Sequence, residues 1–305
     1  MGQSPTINMQ IARQITPRNI LFLSFNIVAL ITFYVPMREL IVLSLQYNET
    51  YSHIILIPLI SGYFMYLKRK AIFSDTNYSY TSGSILVLVG SILYLISKKQ
   101  GINLDQNDYL SLTIFSAVIF WIGGFILFFG IRAFRIAAFP LFFLILMIPM
   151  PSLIMEKIIF LLQMRSAEAV YGFFKLIGIS FLREGLVFHL PGLSIEIAKQ
   201  CSGIRSSMAL FIMGVILSNV FLRTYWRRII LILFIFPLAI IKNGIRIVTL
   251  SLLALYVDQS FITNSKLHRE GGVIFFLIAL LLLLAILWLL RKSERRIKRD
   301  TSHFS

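Results

Sequence analysis

Two long apolar stretches joined by a short basic linker decide the fold. They read IRSSMALFIMGVILSNVFL at residues 204–222 and IILILFIFPLAIIKNGIRIVTLSLLALY at residues 229–256, with RTYWRR at 223–228 between them. A membrane-spanning helix needs about 20 mostly apolar residues. Each stretch is long enough to cross a bilayer, so the pair predicts two consecutive transmembrane helices.

The composition of the whole chain agrees with this prediction. Of its 305 residues, 58% are apolar and 14% are charged, whereas about a quarter of a soluble globular protein is charged. The net charge is +16, but the basic residues form short clusters between apolar runs rather than the single polar face of a nucleic-acid-binding domain. The single cysteine excludes an intramolecular disulfide and a Cys-based zinc or iron–sulfur site. These features predict an all-α polytopic membrane protein with no nucleic-acid partner.

Apolar runs of similar character recur along the chain and predict about eight spans. The stretch 151–180 differs, because Lys157, Glu168 and Lys175 fall within about 20° of one another on a helix. Such a narrow polar stripe favours an amphipathic helix that lies in the membrane interface or packs along the bundle. The predicted spans are 19–36, 53–67, 83–97, 111–130, 136–150, 204–222, 229–256 and 271–290.

The distribution of basic residues predicts the topology. Basic residues favour cytoplasmic segments. If both termini are cytoplasmic and 151–203 stays outside, the cytoplasmic segments hold sixteen of the 29 basic residues but three of the 13 acidic ones. We therefore expect a cytoplasmic tail at 1–18, an integral membrane domain at 19–290 and a basic cytoplasmic tail at 291–305.

Three ionisable groups near span ends are candidates for function. Arg246 lies inside the seventh span, on one helical face with Lys242 and Asn243. A charge in a span costs at least about 2.5 kcal/mol on insertion scales, so it usually faces a cavity or a partner; the alternative is snorkelling to the surface. Cys201 opens the sixth span, where a helix N-terminus favours an anion such as a thiolate. The alternative is that Cys201 is structural, since a lone cysteine in an apolar chain is more often a small buried apolar residue than a reactive group.

Arg205 should lie one helical turn from Cys201, and His268 precedes the last span. At 1.5 Å of rise per residue, Cys201, Arg246 and His268 lie about 31, 27 and 33 Å from the cytoplasmic ends of their spans. The hydrocarbon core is about 30 Å thick, so the three groups could meet at the outer interface.

The segment before Cys201 alternates between apolar and polar residues. Residues 183–198 alternate around the turn signal Pro191-Gly192, which predicts a short extracytoplasmic β-hairpin. This hairpin could be a lid on the bundle, or its edge could pair with an extended peptide.

Three motifs, in this order, make the chain resemble the exosortase/archaeosortase family. The run CSGIRS at 201–206 is similar to the family's nucleophile motif, Asn243 to Arg246 to its Asn-x-x-Arg motif, and His268 with Gly272 to its His-x-x-x-Gly motif. The segment Ser52-His53 with Pro58 also resembles the family's N-terminal stretch, and the resemblance covers about residues 45–290.

The resemblance implies an activity and a set of roles. Family members are regarded as membrane cysteine transpeptidases or proteases that cleave C-terminal sorting signals of exported proteins. Cys201 would be the nucleophile, Arg246 the oxyanion stabiliser and His268 the general acid/base, with Asn243, Ser202, Gly203 and Arg205 in support. Arg205 is the rival for the oxyanion role.

The expected setting follows from the same resemblance. A histidine at 268 is similar to the bacterial members, so we expect a bacterial inner membrane and a site on the extracytoplasmic face. The expected partners are the lipid bilayer and exported proteins ending in a recognition motif, a hydrophobic helix and a basic tail. No cofactor or metal is expected. The alternatives are a transporter that binds an anion through Arg246 and Lys242, or a non-catalytic scaffold of an export or polysaccharide system.

Overall fold

The computed structural model describes residues 17–46, 51–74, 76–99, 104–258 and 272–302. His268, one of the expected site residues, lies outside the described residues. The described part of the chain is mostly helical and divides into two compact units, Met1–Ser152 and Leu153–Ser305.

The first unit consists of helices. Most of its described residues form seven α-helices, and a 3-10 turn at Leu144–Met147 follows the last of these helices. The helices are α1 (Pro17–Thr32), α2 (Tyr34–Gln46), α3 (Leu56–Leu67), α4 (Arg69–Ile72), α5 (Tyr80–Ser97), α6 (Gln106–Ile136) and α7 (Ala138–Phe143).

Helices α5 and α6 pack backbone against backbone. A Cβ added at Gly90 would come within 2.7 Å of the Phe120 nitrogen, and one at Gly123 within 2.6 Å of the Val87 nitrogen. Small residues allow such close helix contacts in membranes, where packing rather than the hydrophobic effect drives association. The glycines therefore set the spacing of this pair.

The second unit contains the predicted β element between long helices. Helix α8 (Ser152–Ile177) leads to strands β1 (Leu182–Glu184), β2 (Val187–Leu190) and β3 (Leu193–Glu196). After β3 come a 3-10 turn at Lys199–Ser202 and helices α9 (Ile204–Phe221), α10 (Tyr225–Tyr256) and α11 (Gly272–Ser302).

The hairpin predicted around Pro191-Gly192 is confirmed and is part of a larger sheet. Strands β2 and β3 pair antiparallel, with Leu190 opposite Leu193. Strand β1 adds a third antiparallel strand beside β2, which the sequence analysis missed. Its three residues are too few to show alternation, and the turn to β2 depends on Gly185, whose φ is +61°.

The multi-pass membrane architecture is confirmed at a coarser level than eight spans. Five described helices are long and apolar enough to cross a membrane: α5, α6, the segment Lys199–Phe221 that includes α9, α10 and α11. The number rises to seven if two bent pairs, Pro17–Thr32 with Tyr34–Leu45 and Ala138–Met147 with Ser152–Ile177, each count as one span. Helix α3 has 12 residues, or about 18 Å. The number eight stays a prediction.

Helix α8 is two-faced, and its charged stripe is exposed. Lys157, Glu168 and Lys175 all lie on the accessible side, where Glu168 forms an ion pair with Arg183 at 2.9 Å. The buried side carries Leu162, Gln163, Ser166, Ala167, Val170 and Phe174. Ala167, Val170 and Phe174 of this side pack with Phe188 and Leu190 of the sheet and with Ile247 and Val248 of α10. The location of α8 in the membrane interface stays a prediction.

Candidate functional site

Cys201 lies in the 3-10 turn between the sheet and α9 and is half-buried. Its N–H donates to the carbonyl of Ala198 at 2.9 Å. Upstream, the N–H of Ile197 donates to the carbonyl of Leu186 at 3.0 Å. The turn is therefore tied to the sheet, and we call residues 197–203 the cysteine segment.

Gly203 ends the 3-10 turn and begins α9. Its φ is +72°, a left-handed conformation that side chains with a Cβ rarely adopt. A Cβ here would also lie 2.8 Å from the side-chain oxygen of Asn243. Both the backbone conformation and the close approach of α10 require glycine at this position.

The expectation that Cys201 and Arg205 share a helix is wrong. The left-handed Gly203 separates the 3-10 turn of Cys201 from α9, whose first turn carries Arg205. The side chain of Arg205 is exposed. No separate signal along the chain indicated this break, because a glycine near a helix start is also compatible with an uninterrupted helix.

Asn243 of α10 holds the cysteine segment. Its side chain is 1% exposed, and its Nδ2 donates to the carbonyl of Cys201 and to Oγ of Ser166 on α8, each at 2.9 Å. A carbonyl can only accept, so the amide nitrogen must face Cys201 and the amide oxygen must face Gly203. One side chain therefore joins the backbone of Cys201 to two helices.

Lys242 reaches the beginning of α9. It is 5% exposed, and its ammonium group donates to Oγ of Ser206. The Ser206 hydroxyl donates in turn to the carbonyl of Gly203 at 3.1 Å. Lys242 and Asn243, which the sequence analysis places on one helical face with Arg246, are therefore both buried and both contact the stretch from Cys201 to Ser206.

Arg246 lies three residues beyond Asn243 on α10 and is partly buried. The rise between them is about 4.5 Å, which places the guanidinium-bearing residue one turn along the same face. A charged side chain that is partly withdrawn from the surface in a span is a default candidate for function. The catalytic assignments of Cys201, Arg246 and His268 stay predictions.

Three polar residues around the cysteine segment were given no role by the sequence patterns, although Ser206 lies in the motif at 201–206. Gln163 and Ser166 occupy the buried face of α8, and Nε2 of Gln163 donates to the carbonyl of Ile197 at 2.8 Å. Ser206 bridges Lys242 and Gly203. The available signal was the spacing of Gln163 and Ser166, which puts two polar side chains on one face of an otherwise apolar helix.

The groups gathered at the cysteine segment are one thiol and the amide and hydroxyl side chains that bind its backbone. Within the described ranges, no three His, Cys, Asp or Glu side chains form a group that could hold a metal ion. The cysteine sits on a short turn whose backbone is tied to two helices and a sheet, a rigid arrangement suited to presenting a nucleophile.

These features define a class: a multi-pass helical membrane protein in which two α-helices and a small sheet hold a turn bearing the single cysteine. A family model described as transmembrane exosortase matches residues 42–285. The chain therefore belongs to the transmembrane exosortase family. No curated protein and no solved structure matches the chain.

Proposed function

We propose that this protein is a membrane cysteine transpeptidase or protease that cleaves the C-terminal sorting signal of exported proteins. The observation that supports it best is the contact between Asn243 and the carbonyl of Cys201. It joins two of the motifs on which the family resemblance rests, although 42 residues separate them along the chain. Family membership supports the same activity.

In the proposed reaction, Cys201 attacks the scissile carbonyl as a thiolate. A C–S bond forms, and the negative charge moves to the carbonyl oxygen, where the guanidinium of Arg246 stabilises it. Loss of one such donor in other enzymes costs about 2.7–4 kcal/mol. The C–N bond then breaks, and the leaving amine takes a proton from His268. The product is a thioester on Cys201.

Release of the acyl group completes the cycle. Water or an amine attacks the thioester and gives up a proton to His268, the C–S bond breaks, and Cys201 is released as the thiolate that began the cycle. Water as the acceptor makes the enzyme a protease, and an amine makes it a transpeptidase. Ser202, Gly203 and Asn243 support the nucleophile in this scheme. The exposed side chain of Arg205 makes it a weaker candidate for the oxyanion role than Arg246.

The proposed setting is the inner membrane of a bacterium, with both termini in the cytoplasm and the site on the outer face. Residues 19–290 form the membrane domain, and 1–18 and 291–305 form cytoplasmic tails, because basic residues favour the cytoplasmic side. The hydrophobic helix of the substrate would lie in the bilayer, with its basic tail inside and its recognition motif at the outer interface.

The test is processing of a co-expressed exported protein from the same genome that ends in a hydrophobic helix and a basic tail. A tag placed before that helix reports cleavage. We expect Cys201→Ala to abolish cleavage at an equal membrane level. Lys199→Ala, which changes an exposed side chain in the same 3-10 turn, serves as the matched control and should cleave normally.

Unchanged cleavage by Cys201→Ala would overturn the nucleophile assignment and favour the scaffold alternative. If Cys201→Ala stops cleavage, Arg246→Lys and His268→Gln come next. Both should reduce the rate, since lysine lacks the planar fork of arginine and glutamine cannot transfer a proton.

A further inference from the structure

The buried face of α8 contacts the cysteine segment at two points through polar side chains. Gln163 donates to the carbonyl of Ile197 at 2.8 Å, and Ser166 accepts from the Asn243 amide that binds Cys201. Gln163 is 6% exposed and Ser166 is fully buried. We propose that Gln163 and Ser166 are positioning residues that hold Cys201 in its reactive orientation. The catalytic role in this inference rests on the proposed function, whereas the observed contacts do not depend on it.

The two contacts bracket the cysteine. Ile197 is held on both sides of its backbone, because its N–H donates to Leu186 and its carbonyl accepts from Gln163. Four residues later, the carbonyl of Cys201 accepts from Asn243. With both ends of the stretch fixed, the backbone between them has little freedom to turn the thiol away from a substrate.

Ser166 acts through a soft torsion of Asn243. The terminal torsion of an asparagine side chain is broad, and its rotation is not confined to one narrow well. The amide nitrogen has two hydrogens, and the structure gives them two acceptors, the carbonyl of Cys201 and Oγ of Ser166. Removal of the hydroxyl leaves a buried donor without its partner, which is unfavourable, and lets the amide rotate.

Rotation of the amide would move the nucleophile. The peptide bond after Cys201 is planar, so the direction of its carbonyl fixes the backbone torsion that relates the carbonyl to the Cα–Cβ bond and the thiol. Misplacement of a reacting atom by about 1 Å can reduce a rate by about 10²-fold. The hydroxyl of Ser166 can therefore affect catalysis without touching the substrate.

The close approach of the helices makes this arrangement specific. A Cβ added at Gly244 would lie 2.8 Å from Cβ of Ala169 and 3.1 Å from the ring of Phe173. Helix α10 is thus in contact with α8 one residue after Asn243. A small hydroxyl residue suits this position.

The competing interpretation is that Ser166 only satisfies a buried amide and contributes to folding. Ser251 provides a matched control for that role. It is a buried serine of α10, 1% exposed, and its hydroxyl donates to the carbonyl of Ile247 in its own helix at 2.7 Å. Ser251→Ala removes the same atom from an equally buried site, eight residues along α10 from Asn243.

The experiment uses the single cysteine as a probe of its own position. The full-length protein in detergent is labelled at Cys201 with bromotrifluoroacetone and observed by fluorine NMR. The wild type and Ser251→Ala should each give one narrow resonance at the same chemical shift. Ser166→Ala and Gln163→Met, which replaces the donor by an apolar group of similar size, should give shifted or multiple resonances. Ser166→Thr, which keeps the hydroxyl, should restore the wild-type signal.

The kinetic readout is cleavage of the tagged exported protein described above. Ser166→Ala should lower kcat by about 10-fold to 100-fold with little change in KM, because the substrate-binding surface is intact, and Ser166→Thr should recover most of the rate. Ser251→Ala should keep both constants. If Ser166→Ala does not fold, Gln163→Met tests the other contact.

Wild-type resonances and rates in Ser166→Ala and Gln163→Met would overturn the proposal. Equal losses in Ser166→Ala and Ser251→Ala would also overturn it and assign Ser166 a folding role. Failure of the proposed function has a different signature, because cleavage would then continue in Cys201→Ala while the fluorine signals still report the positioning of the cysteine.

Discussion

Two tight helix contacts, one in each unit, solve the same packing problem with different chemistry. Helices α5 and α6 meet through glycines whose added Cβ atoms would collide with the backbone of the partner helix. Helices α8 and α10 also meet at a glycine, Gly244, but beside it lie Ser166 and Asn243, joined by a buried hydrogen bond. In a membrane, buried polar groups are costly and usually serve a function. We therefore propose that the contact between α8 and α10 serves the reaction, whereas the contact between α5 and α6 serves helix packing.

The largest expected effect comes from filling the glycine contact of the first unit. Gly90→Leu should lower the free energy of unfolding by about 3 kcal/mol or more, since overpacking strains a close-packed contact. The obstacle is the backbone nitrogen of Phe120 at 2.7 Å, which cannot move aside as a side-chain end can. Thermal unfolding in detergent, followed by tryptophan fluorescence, measures the loss.

Gly62 of α3 provides the control for this change. A Cβ at Gly62 would meet nothing within 4 Å, so Gly62→Leu should leave the unfolding temperature close to that of the wild type. Equal destabilisation by the two variants would contradict the claim that the α5–α6 contact depends on close backbone approach.

The next effect should arise at the polar contact. Asn243→Asp keeps the shape of the side chain but turns an acceptor toward the carbonyl of Cys201, which is also an acceptor. We expect a stability loss of about 1–3 kcal/mol together with loss of cleavage. Asn243→Ala should lose cleavage too. Wild-type cleavage by Asn243→Asp would show that the amide does not position the cysteine.

In the second unit, the carboxylate of Glu294 caps the beginning of a helix. Glu294 of α11 accepts hydrogen bonds from the backbone N–H groups of Thr224, at 2.8 Å, and Arg223, at 3.2 Å, where α10 begins. Its carboxylate also lies 3.5 Å from Nη1 of Arg227. Glu294→Ala should cost about 0.5–2 kcal/mol of stability, the usual range for a lost cap, and should leave the cysteine site unchanged.

Glu156→Ala, at an exposed position of α8, controls for the loss of one negative charge. Unfolding temperatures of the two variants provide the comparison. If both shift alike, the cap at the beginning of α10 does not contribute to stability.

The smallest expected effect is a pH dependence in the first unit. The backbone N–H of Asp108, which donates to Asp105 at 2.6 Å, and the hydroxyl of Ser152, at 2.7 Å, hold the pKa of Asp105 below its usual value. A lowered pKa in the folded state means that this carboxylate stabilises the fold above its unfolded pKa and that the stabilisation is lost as the pH falls through the folded pKa.

Asp105→Asn keeps an N-cap side chain without a charge. Its unfolding temperature should be slightly below that of the wild type at about pH 6, and the difference should shrink toward about pH 3, near and below the ordinary pKa of aspartate. A difference that is constant over this range would contradict the role of the charge.

The sequence predicted the spans well where one uninterrupted apolar run made one helix. Residues 83–97 and 229–256 lie within the single helices α5 and α10, and α11 covers the last predicted span, 271–290, from Gly272 onward. The first span, predicted at 19–36, instead consists of two helices bent by 66° at Phe33. Pro36 lacks an N–H, and its ring conflicts with the carbonyl four residues earlier. The first helix therefore ends at Thr32, and a second helix begins at Tyr34 with Pro36 in its first turn.

The site was predictable in its residue types but not in its connections. Local patterns indicated the hairpin before Cys201 and the shared helical face of Lys242, Asn243 and Arg246. The hydrogen bonds from Gln163 and Asn243 join residues 34 and 42 positions apart along the chain. Such contacts depend on how helices pack, and no local periodicity specifies them. The sequence analysis identified the charged stripe of α8, which lies on the exposed face of the helix. The face that contacts the cysteine segment instead carries uncharged polar groups, Gln163 and Ser166.

The most direct test of the central claim is capture of the thioester on Cys201. Purified protein is mixed with the tagged exported protein, quenched in acid and analysed by mass spectrometry of the peptide that contains Cys201. The account predicts an adduct on Cys201 that hydroxylamine removes and that is reduced in Ser166→Ala but not in Ser251→Ala. Cleavage of the substrate without any adduct on Cys201, or an adduct that persists in Cys201→Ala, would contradict it.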